Sequence, residues 1–545
     1  MLGVPARRET ARVPSRRLLI GITACSLLGC RGDASGPGLD PVPTKLVIRE
    51  PHDTLNALAD TITLVVDALD QSGNKIPSDS ILWLAQDYTL VTVSQTGRVS
   101  AIGVGVARVI AQRGPLADTT EVVVRQVFAK LALLRAADTV FLTDTVTLGV
   151  EARDSNDFFM PPPEPLTIAV ADPSIASHDG GGVLRATGYG NTNISATERG
   201  QTVTGKLIVE GPFVSIVGGN NYSCGLVAGG AAYCWGWYPP GAIGTSEPDG
   251  RYIVRKVPGI PPLKTIAGGH DYDCGLAVDG SVFCWGSGYG ATTRVPRAVA
   301  APEAFVMIST GYGQTCAIAV GGNTYCWGRN TDQETGVSTA NGGPEVVTEP
   351  TRIEGLQLRE VSAGVARTCG VDPNGVGYCW GSGYGPTPTR FGGTRLFKSI
   401  GVGGYPCAIL LNGRPYCPTD TTDFPTANIP ALQRISAGND QYCGIDTNGN
   451  AYCWGWNYFG ELGNGTRSDG QQLGSIVVGG LQFSQIDAAG GLALPGTHTC
   501  GVTTDGVAYC WGANNSNQLS AASVTGNCAQ YACSMVPVRV RRLRS

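Results

Sequence analysis

Cysteine is the residue here with the most chemistry to offer. The 545-residue chain holds eighteen cysteines. A cysteine can ligate a metal, attack a substrate or pair with another. Fourteen of them form a series in which Cys224, Cys274, Cys316, Cys369, Cys407, Cys443 and Cys500 are each followed ten positions later by Cys234, Cys284, Cys326, Cys379, Cys417, Cys453 and Cys510. Six of these pairs continue Cys-Trp-Gly, while the fifth continues Cys417-Pro418 and is degenerate. Cys25, Cys30, Cys528 and Cys533 remain. Zinc sites favour Cys-x-x-Cys pairs, and the sequence has none. Paired cysteines at one fixed spacing predict disulfides and an oxidising compartment. Cys528 and Cys533 are expected to staple the last loop. With four histidines and four methionines, the chain has little material for a metal or redox site. No metal or cofactor is expected.

The spacing also says what must position the cysteines. Glycine stands six places after the first cysteine in every copy: Gly230, Gly280, Gly322, Gly375, Gly413, Gly449 and Gly506. Short apolar runs flank it, and Asp or Asn often precedes it, which signals a β-hairpin. A type I turn closed by a left-handed glycine gives a three-residue tip, and the two cysteines then lie directly opposite. Opposed Cβ atoms sit roughly 4.5–5.5 Å apart, near disulfide range. The same register sets the small residue after the first cysteine (Gly225, Gly275, Ala317, Gly370, Ala408, Gly444, Gly501) opposite an aromatic (Tyr233, Phe283, Tyr325, Tyr378, Tyr416, Tyr452, Tyr509). A ring over a strand glycine is a stabilising pair. Alternation places the disulfide on one face of the hairpin and the Tyr and Trp on the other.

Other chemistry is sparse. Catalytic motifs such as Gly-x-Ser-x-Gly, His-Glu-x-x-His and the phosphate loop are missing. His270 and His498 stand four and two places before a repeat cysteine, as hairpin-end residues do. The recurring tryptophans sit at one structural offset and are expected to pack. Trp237, Tyr238, Trp456, Tyr458 and Asn514 lie outside it, in long loops at about 237–250, 456–474 and 513–535, with a further long loop at 329–349. Loops on a rigid scaffold concentrate function, so these five are the candidate binding residues. Charged residues make up 15% of the chain and the net charge is −4, against a broad nucleic-acid surface.

Residues 1–30 read as an export signal: a basic head with Arg7, Arg8, Arg12, Arg16 and Arg17, then a short apolar core from Leu18 to Leu28. The ending Leu27-Leu28-Gly29-Cys30 resembles the lipobox of bacterial lipoproteins, which implies cleavage before Cys30 and its acylation. Residues 31–44 are a linker. Residues 45–126 alternate apolar and polar, with Trp83 central. The run Val93-Ser-Gln-Thr-Gly97-Arg-Val-Ser-Ala-Ile-Gly103-Val-Gly105-Val-Ala107 resembles the signature of bacterial Ig-like group 2 domains. A second copy occupies 127–211, without the tryptophan. Both are expected to be β-sandwich spacers.

From 212 to 545 the hairpins recur every 36 to 57 residues, as in a propeller or solenoid. The sixth continues Trp454-Gly-Trp-Asn457-Tyr-Phe-Gly460-Glu-Leu462-Gly463-Asn-Gly465-Thr466, and here the chain resembles the regulator of chromosome condensation repeat. That resemblance implies a seven-bladed β-propeller, so the whole is expected to be all-β. Segments with a Pro-x-x-Val or Ile pattern precede each hairpin after the first, and a last copy, Pro537-Val538-Arg539-Val540, ends the chain. It is expected to complete the first blade by pairing near Phe213 to Ile216. The expected function is an envelope-anchored lipoprotein, placed by its anchor on the outer membrane or cell surface. It would present a disulfide-braced propeller to a protein or glycan outside the cytoplasm, as a monomer without a nucleic-acid partner and without enzyme activity. The family resemblance also raises a guanine-nucleotide-exchange regulator, and the fold an extracellular enzyme or enzyme inhibitor.

Overall fold

The computed structural model describes residues 41–49, 52–77, 80–142, 144–161, 166–237, 254–287, 295–340, 342–418, 426, 428–489, 496–520, 526–528 and 531–541. The leader with Cys25 and Cys30, most of the 31–44 linker, Tyr238 and the loop beyond it lie outside these residues. All regular structure among the described residues is β-strand. None of it is a helix long and apolar enough to cross a membrane.

The chain divides into two compact units, residues 1–127 with 154–158, and 128–153 with 159–545. The first is a sandwich of short sheets. His52–Leu55 runs parallel to Leu116–Val124, which pairs with Gly105–Arg113, and that strand pairs in turn with Leu82–Ala85. Alternate residues face inward, so Val99, Val109, Ala111, Val122 and Val124 are buried around Trp83. Gly97 adopts φ +80°, and a Cβ there would meet the Leu64 carbonyl at 2.5 Å and the Trp83 ring at 3.1 Å. The glycine of the signature run is therefore fixed by both turn and core.

The second unit opens with a sandwich of the same strand order: Ala137–Val140, Gln201–Val209, Gly190–Glu198 and Thr167–Val170. Its core includes Leu184, Ala186, Ile194 and Leu207, aliphatic where the first sandwich has tryptophan. Phe141 then packs on Phe213 and Tyr233, with ring centroids 4.9 and 5.6 Å apart, so this sandwich and the ring that follows share a buried aromatic junction.

That ring is a β-propeller. Each cysteine pair sits on a hairpin whose register sets the two cysteines opposite, for instance Cys274 with Cys284 and Gly275 with Phe283. Every tip glycine has φ between +81° and +90°. Seven intra-hairpin disulfides close across Cα separations of 4.0–4.1 Å, and Cys528–Cys533 closes an eighth. Each hairpin pairs on one side with an inner strand: Phe213–Gly218, Leu263–Gly268, Phe305–Thr310, Glu360–Ala363, the end of Gly385–Val402, Leu432–Ala437 and Phe483–Ala489. Strand Gly385–Val402 first serves as the outer strand of the fourth hairpin and then as the inner strand of the fifth, which joins those two sheets.

The small residue after the first cysteine has a different cause from the one expected. A Cβ on Gly225 would strike Phe213 at 2.5 Å, and those on Gly275, Gly370, Gly444 and Gly501 would strike Leu263, Leu358, Leu432 and Phe483 at 2.3–2.7 Å. The side chain that begins or precedes the inner strand fills that space, not the cross-strand aromatic ring.

Neighbouring sheets meet face to face in one repeating contact. The disulfide of each hairpin packs against the tryptophan of the next: Cys224–Cys234 with Trp285, Cys274–Cys284 with Trp327, Cys316–Cys326 with Trp380, Cys407–Cys417 with Trp454, and Cys443–Cys453 with Trp511. The degenerate fifth hairpin offers no tryptophan, and Cys369–Cys379 meets Phe391 and Phe397 instead. The series closes on itself, since Cys500–Cys510 packs against Trp235 of the first hairpin.

Closure therefore differs from the sequence expectation. The terminal segment forms strand Tyr531–Arg539, which pairs with the seventh hairpin (Cys510 opposite Val538), not with Phe213–Ile216. The segments read as upstream strands are likewise outer strands of the preceding hairpin: Arg255–Lys256 pairs with Tyr233 and Cys234, and Arg297–Ala298 with Phe283 and Cys284. Apart from the copy near Ile429, which forms no strand among the described residues, the copies complete the hairpin before them, so the last copy has a hairpin to complete and reaches the first blade only by side-chain packing of Val540. Besides one backbone bond, from the Phe213 N–H to the Gly506 carbonyl at 2.9 Å, the ring is joined by side chains. Gln485 accepts from the Ile216 N–H at 3.0 Å and donates to its carbonyl at 2.8 Å, and Asp487 accepts from the Gly218 N–H at 2.8 Å. Ser309, Ser362 and Ser436 accept in the same way from Ala363, Val402 and Ala488 at 2.9–3.0 Å.

Candidate binding face

Strand direction puts two kinds of connection at the same end of the hairpins: the turn leaving the inner strand and the loop following Cys-Trp-Gly. The glycine tips lie at the other end. The third residue after the second cysteine is tied to the turn of its own hairpin by its backbone N–H, at 2.8–3.0 Å: Trp237 to Asn221, Ser287 to Asp271, Arg329 to Gly313, Ser382 to Ala366, Trp456 to Asp440 and Ala513 to Thr497. The turns form this loop face, and they are linked to one another. Asn220 N–H donates to His270, His270 to Gly311, Tyr312 to Gly364, Val365 to Gly403 and Gly404 to Asn439, all at 3.0–3.2 Å.

A second tier lies beneath. The side chain two places before the first cysteine reaches to the next hairpin: Tyr222 Oη to the Tyr272 carbonyl at 3.0 Å, Tyr272 Oη to Gln314 at 2.6 Å, Gln314 Nε2 to Gly364 at 2.9 Å, Arg367 Nη1 to Gly404 at 2.9 Å and Gln441 Nε2 to Ala489 at 2.5 Å. In the seventh hairpin the position is His498, whose Nε2 lies 2.8 Å from Ser223 Oγ and whose Nδ1 lies 3.0 Å from the Gly496 carbonyl. A carbonyl only accepts, so Nδ1 carries the proton, and the Ser223 hydroxyl shares its single proton between Nε2 and the Gln518 carbonyl. Full burial lowers the His498 pKa to about 4, which keeps the ring neutral.

Three long loops share one internal design. Asn330 Oδ1 accepts from Thr335 N–H at 3.2 Å, Asn457 from Leu462 at 3.1 Å and Asn514 from Leu519 at 3.0 Å. A buried Glu or Gln follows. Glu461 accepts from the N–H groups of Tyr458 and Phe459, and burial still raises its pKa to about 7. The backbone carbonyl of this residue receives both the indole and the hydroxyl of the next hairpin: Glu334 from Trp380 (3.0 Å) and Thr368 (2.8 Å), Glu461 from Trp511 (2.9 Å) and Thr499 (2.7 Å), Gln518 from Trp235 (2.8 Å) and Ser223 (3.0 Å). These loops hold the ring together as much as they decorate it.

The inner strands surround a channel of about 650 Å³ that opens at this face beside His270, Tyr312, Val365 and Asn439. Asp487 lines it, its pKa raised to about 6 by burial. Around the mouth the side chains form an arc. His270 Nδ1 lies 2.9 Å from Asp271, and its ring centre is 4.4 Å from that of Tyr312. Arg329 lies over Tyr312 at 5.6 Å and pairs with Asp332 at 2.6 Å and Glu334 at 2.7 Å. Arg367 lies over Tyr405 at 5.0 Å. Beyond Asn439 and Asp440, the Trp456 and Tyr458 rings stack 5.0 Å apart and within 10° of parallel.

Of the residues singled out in the sequence, Trp237 stands 41% exposed on this face. Trp456 and Tyr458 come together as the stacked pair. Asn514 is occupied inside its loop. Tyr238 and Cys30 lie outside the described residues. Cys224, Cys234 and the buried Asp273 cluster, but the sulfurs are joined to each other, which leaves no thiolate for a metal. Tyr312, Arg329, Arg367, Tyr405 and Asn439 were not singled out. Their signal was positional: they stand four or two places before the first cysteine, or three after the second, where the repeat exposes or staples a side chain.

The fold and its repeated hairpin define the class of protein, a disulfide-braced β-propeller with repeats of the chromosome condensation type. Residues 433–461 and 496–518 match the family model described as Regulator of chromosome condensation (RCC1) repeat. Among characterised proteins, the Ultraviolet-B receptor UVR8 of Arabidopsis thaliana is 26% identical over 188 residues, 34% of this chain and 35% of the receptor, so the match spans about a third of that relative. Similar solved structures include Prp20p of Saccharomyces cerevisiae (17% identity, 51% of this chain and 80% of that one, TM-score 0.45) and the ectodomain of the Arabidopsis thaliana receptor kinase ACR4 (20%, 61% and 99%, TM-score 0.39). Eight disulfides suggest an extracellular or secreted protein.

Proposed function

We propose that this is a lipoprotein anchored in the cell envelope through Cys30, in which two Ig-like group 2 sandwiches carry a seven-bladed propeller that binds a protein or glycan at its loop face. The observation that carries the reading is the arc of aromatic and cationic side chains at the channel mouth, continued by the stacked Trp456 and Tyr458. Placement of the second sandwich supports it. Phe141 packs near the start of the first inner strand, beside the tip glycine Gly506, so the second sandwich meets the propeller at the end opposite its loop-bearing face. Retention of an envelope component by the immobilised full chain, lost in a Trp456→Ala/Tyr458→Ala variant of unchanged melting temperature, is the expected result; equal retention by both refutes the loop face. The anchor has its own test. Labelled palmitate should enter the native chain and not Cys30→Ser, and equal labelling removes the lipoprotein reading.

A further inference from the structure

We infer that the arc at the channel mouth is a subsite for a carboxylate-bearing sugar, with the Arg367 guanidinium receiving the carboxylate and the rings beside it receiving the sugar. The inference rests on the loop face being the binding surface. Arg367 occupies the second-tier position that elsewhere holds Tyr222, Tyr272, Gln314, Tyr405, Gln441 and His498, so it is the one permanent cation in that tier. Stapling uses a single nitrogen, Nη1, on the Gly404 carbonyl. Its Nε is closed off by burial, its Nη2 makes no hydrogen bond among the described residues, and no carboxylate among them pairs with the group, so the Nη edge is the one left for a ligand. Arg329, by contrast, is already held by Asp332 and Glu334. A guanidinium over an aromatic ring, with donors left over in a rigid fork, is built for a planar bidentate acceptor.

The surroundings favour a sugar over an acidic peptide. Tyr312, Tyr405 and His270 present flat rings with polar edges. The phenolic oxygens of Tyr312 and Tyr405 and the Nε2 of His270 make no hydrogen bond among the described residues. Aromatic faces take the apolar C–H faces of a pyranose, and polar edges take its hydroxyls. The channel behind the rim mixes Ser309, Ser362, Ser436 and Asp487 with Met307 and Ile435, so the flat rings at the rim, not the channel wall, favour a sugar.

The test uses calorimetric titration of the full oxidised chain with trigalacturonate, its fully methyl-esterified form, and hexaglutamate. The acid should bind at least tenfold more tightly than the ester and the peptide. Arg367→Gln is the informative variant, because Gln314 and Gln441 make the same staple with an uncharged side chain. It should keep the melting temperature and the weak ester affinity while losing at least tenfold for the acid. Equal affinity for acid and ester, undiminished acid binding by Arg367→Gln, tighter binding of hexaglutamate, or no binding of any probe would each overturn the inference. If Trp456→Ala/Tyr458→Ala alone loses the envelope component while Arg367→Gln retains both it and the acid, the loop face stands and the carboxylate subsite falls.

Discussion

His498 closes the second tier between the last hairpin and the first, and it is the member of that tier whose ordinary pKa lies near neutrality. Replacing it with glutamine keeps the reach of Gln314 and Gln441 and removes the proton. The native imidazole has a pKa of about 4, against an ordinary histidine value of 6.5. A depressed folded value means the unfolded or opened chain binds the proton first, so the stabilisation is complete above pH 6.5 and is withdrawn as pH falls toward 4. Between pH 7 and 5 the loss amounts to about 2 kcal/mol, from roughly 1.4 kcal/mol per pKa unit. Glu461 and Asp487, with raised values, oppose the trend in both proteins and cancel when the native chain is compared with His498→Gln. Hydrogen exchange of the Phe213–Val227 amides, corrected for intrinsic rates, should therefore lose roughly thirtyfold more protection in the native chain than in the variant over this interval, the factor that about 2 kcal/mol represents. Parallel pH profiles, with the two proteins within about threefold throughout, would refute the seam.

Three further outcomes are expected. Removing the second hairpin's disulfide with Cys274→Ala and Cys284→Ala should cost about 2–3 kcal/mol for a crosslink of ten-residue separation, measured by urea denaturation; no change would mean the hairpin is equally ordered when open. Deleting residues 531–545 should expose the Ala508–Ala513 amides to exchange far more than those of Phe213–Gly218, because the terminal strand is hydrogen-bonded to the seventh hairpin and touches the first blade only through side chains such as Val540; equal loss at both sites would restore backbone closure through the chain end. Glu461 has a raised pKa, so the stability it withholds grows as pH rises from about 4.5 to about 7. Glu461→Gln should flatten the loss of stability over that window, and an unchanged slope would show that the carboxyl does not titrate there.

Hairpin register, disulfide pairing and repeat number were legible in the sequence because they depend on local spacing: ten residues between cysteines and a glycine at the sixth allow one tip and one set of opposed pairs. Assigning outer strands was harder. A segment such as Pro296 to Val299 lies between two hairpins and can pair with either, and only the three-dimensional path decides that it returns to Phe283 and Cys284. The same ambiguity misplaced Val538. The glycine after each first cysteine was read against its cross-strand partner, whereas its space is taken by Phe213 or Leu263 from a third strand that pair spacing does not reveal. Trp456 and Tyr458 were visible as residues off the repeat pattern. Arg367 and Tyr405 were hidden because they sit on it, where a staple and a contact occupy the same position.

The alternation of disulfide and tryptophan around the ring has an optical consequence. An excited indole gives up an electron readily to a disulfide in contact with it, so Trp235, Trp285, Trp327, Trp380, Trp454 and Trp511, each packed in one cluster with the cysteines of its neighbour, are expected to emit poorly in the native protein. That leaves Trp83 in the core of the first sandwich with Trp237 and Trp456 at the loop face, so the intrinsic emission of this nine-tryptophan protein is expected to come largely from outside the core of the ring. Reduction of the ring would brighten the six dark indoles one by one, each reporting the disulfide of the hairpin before it.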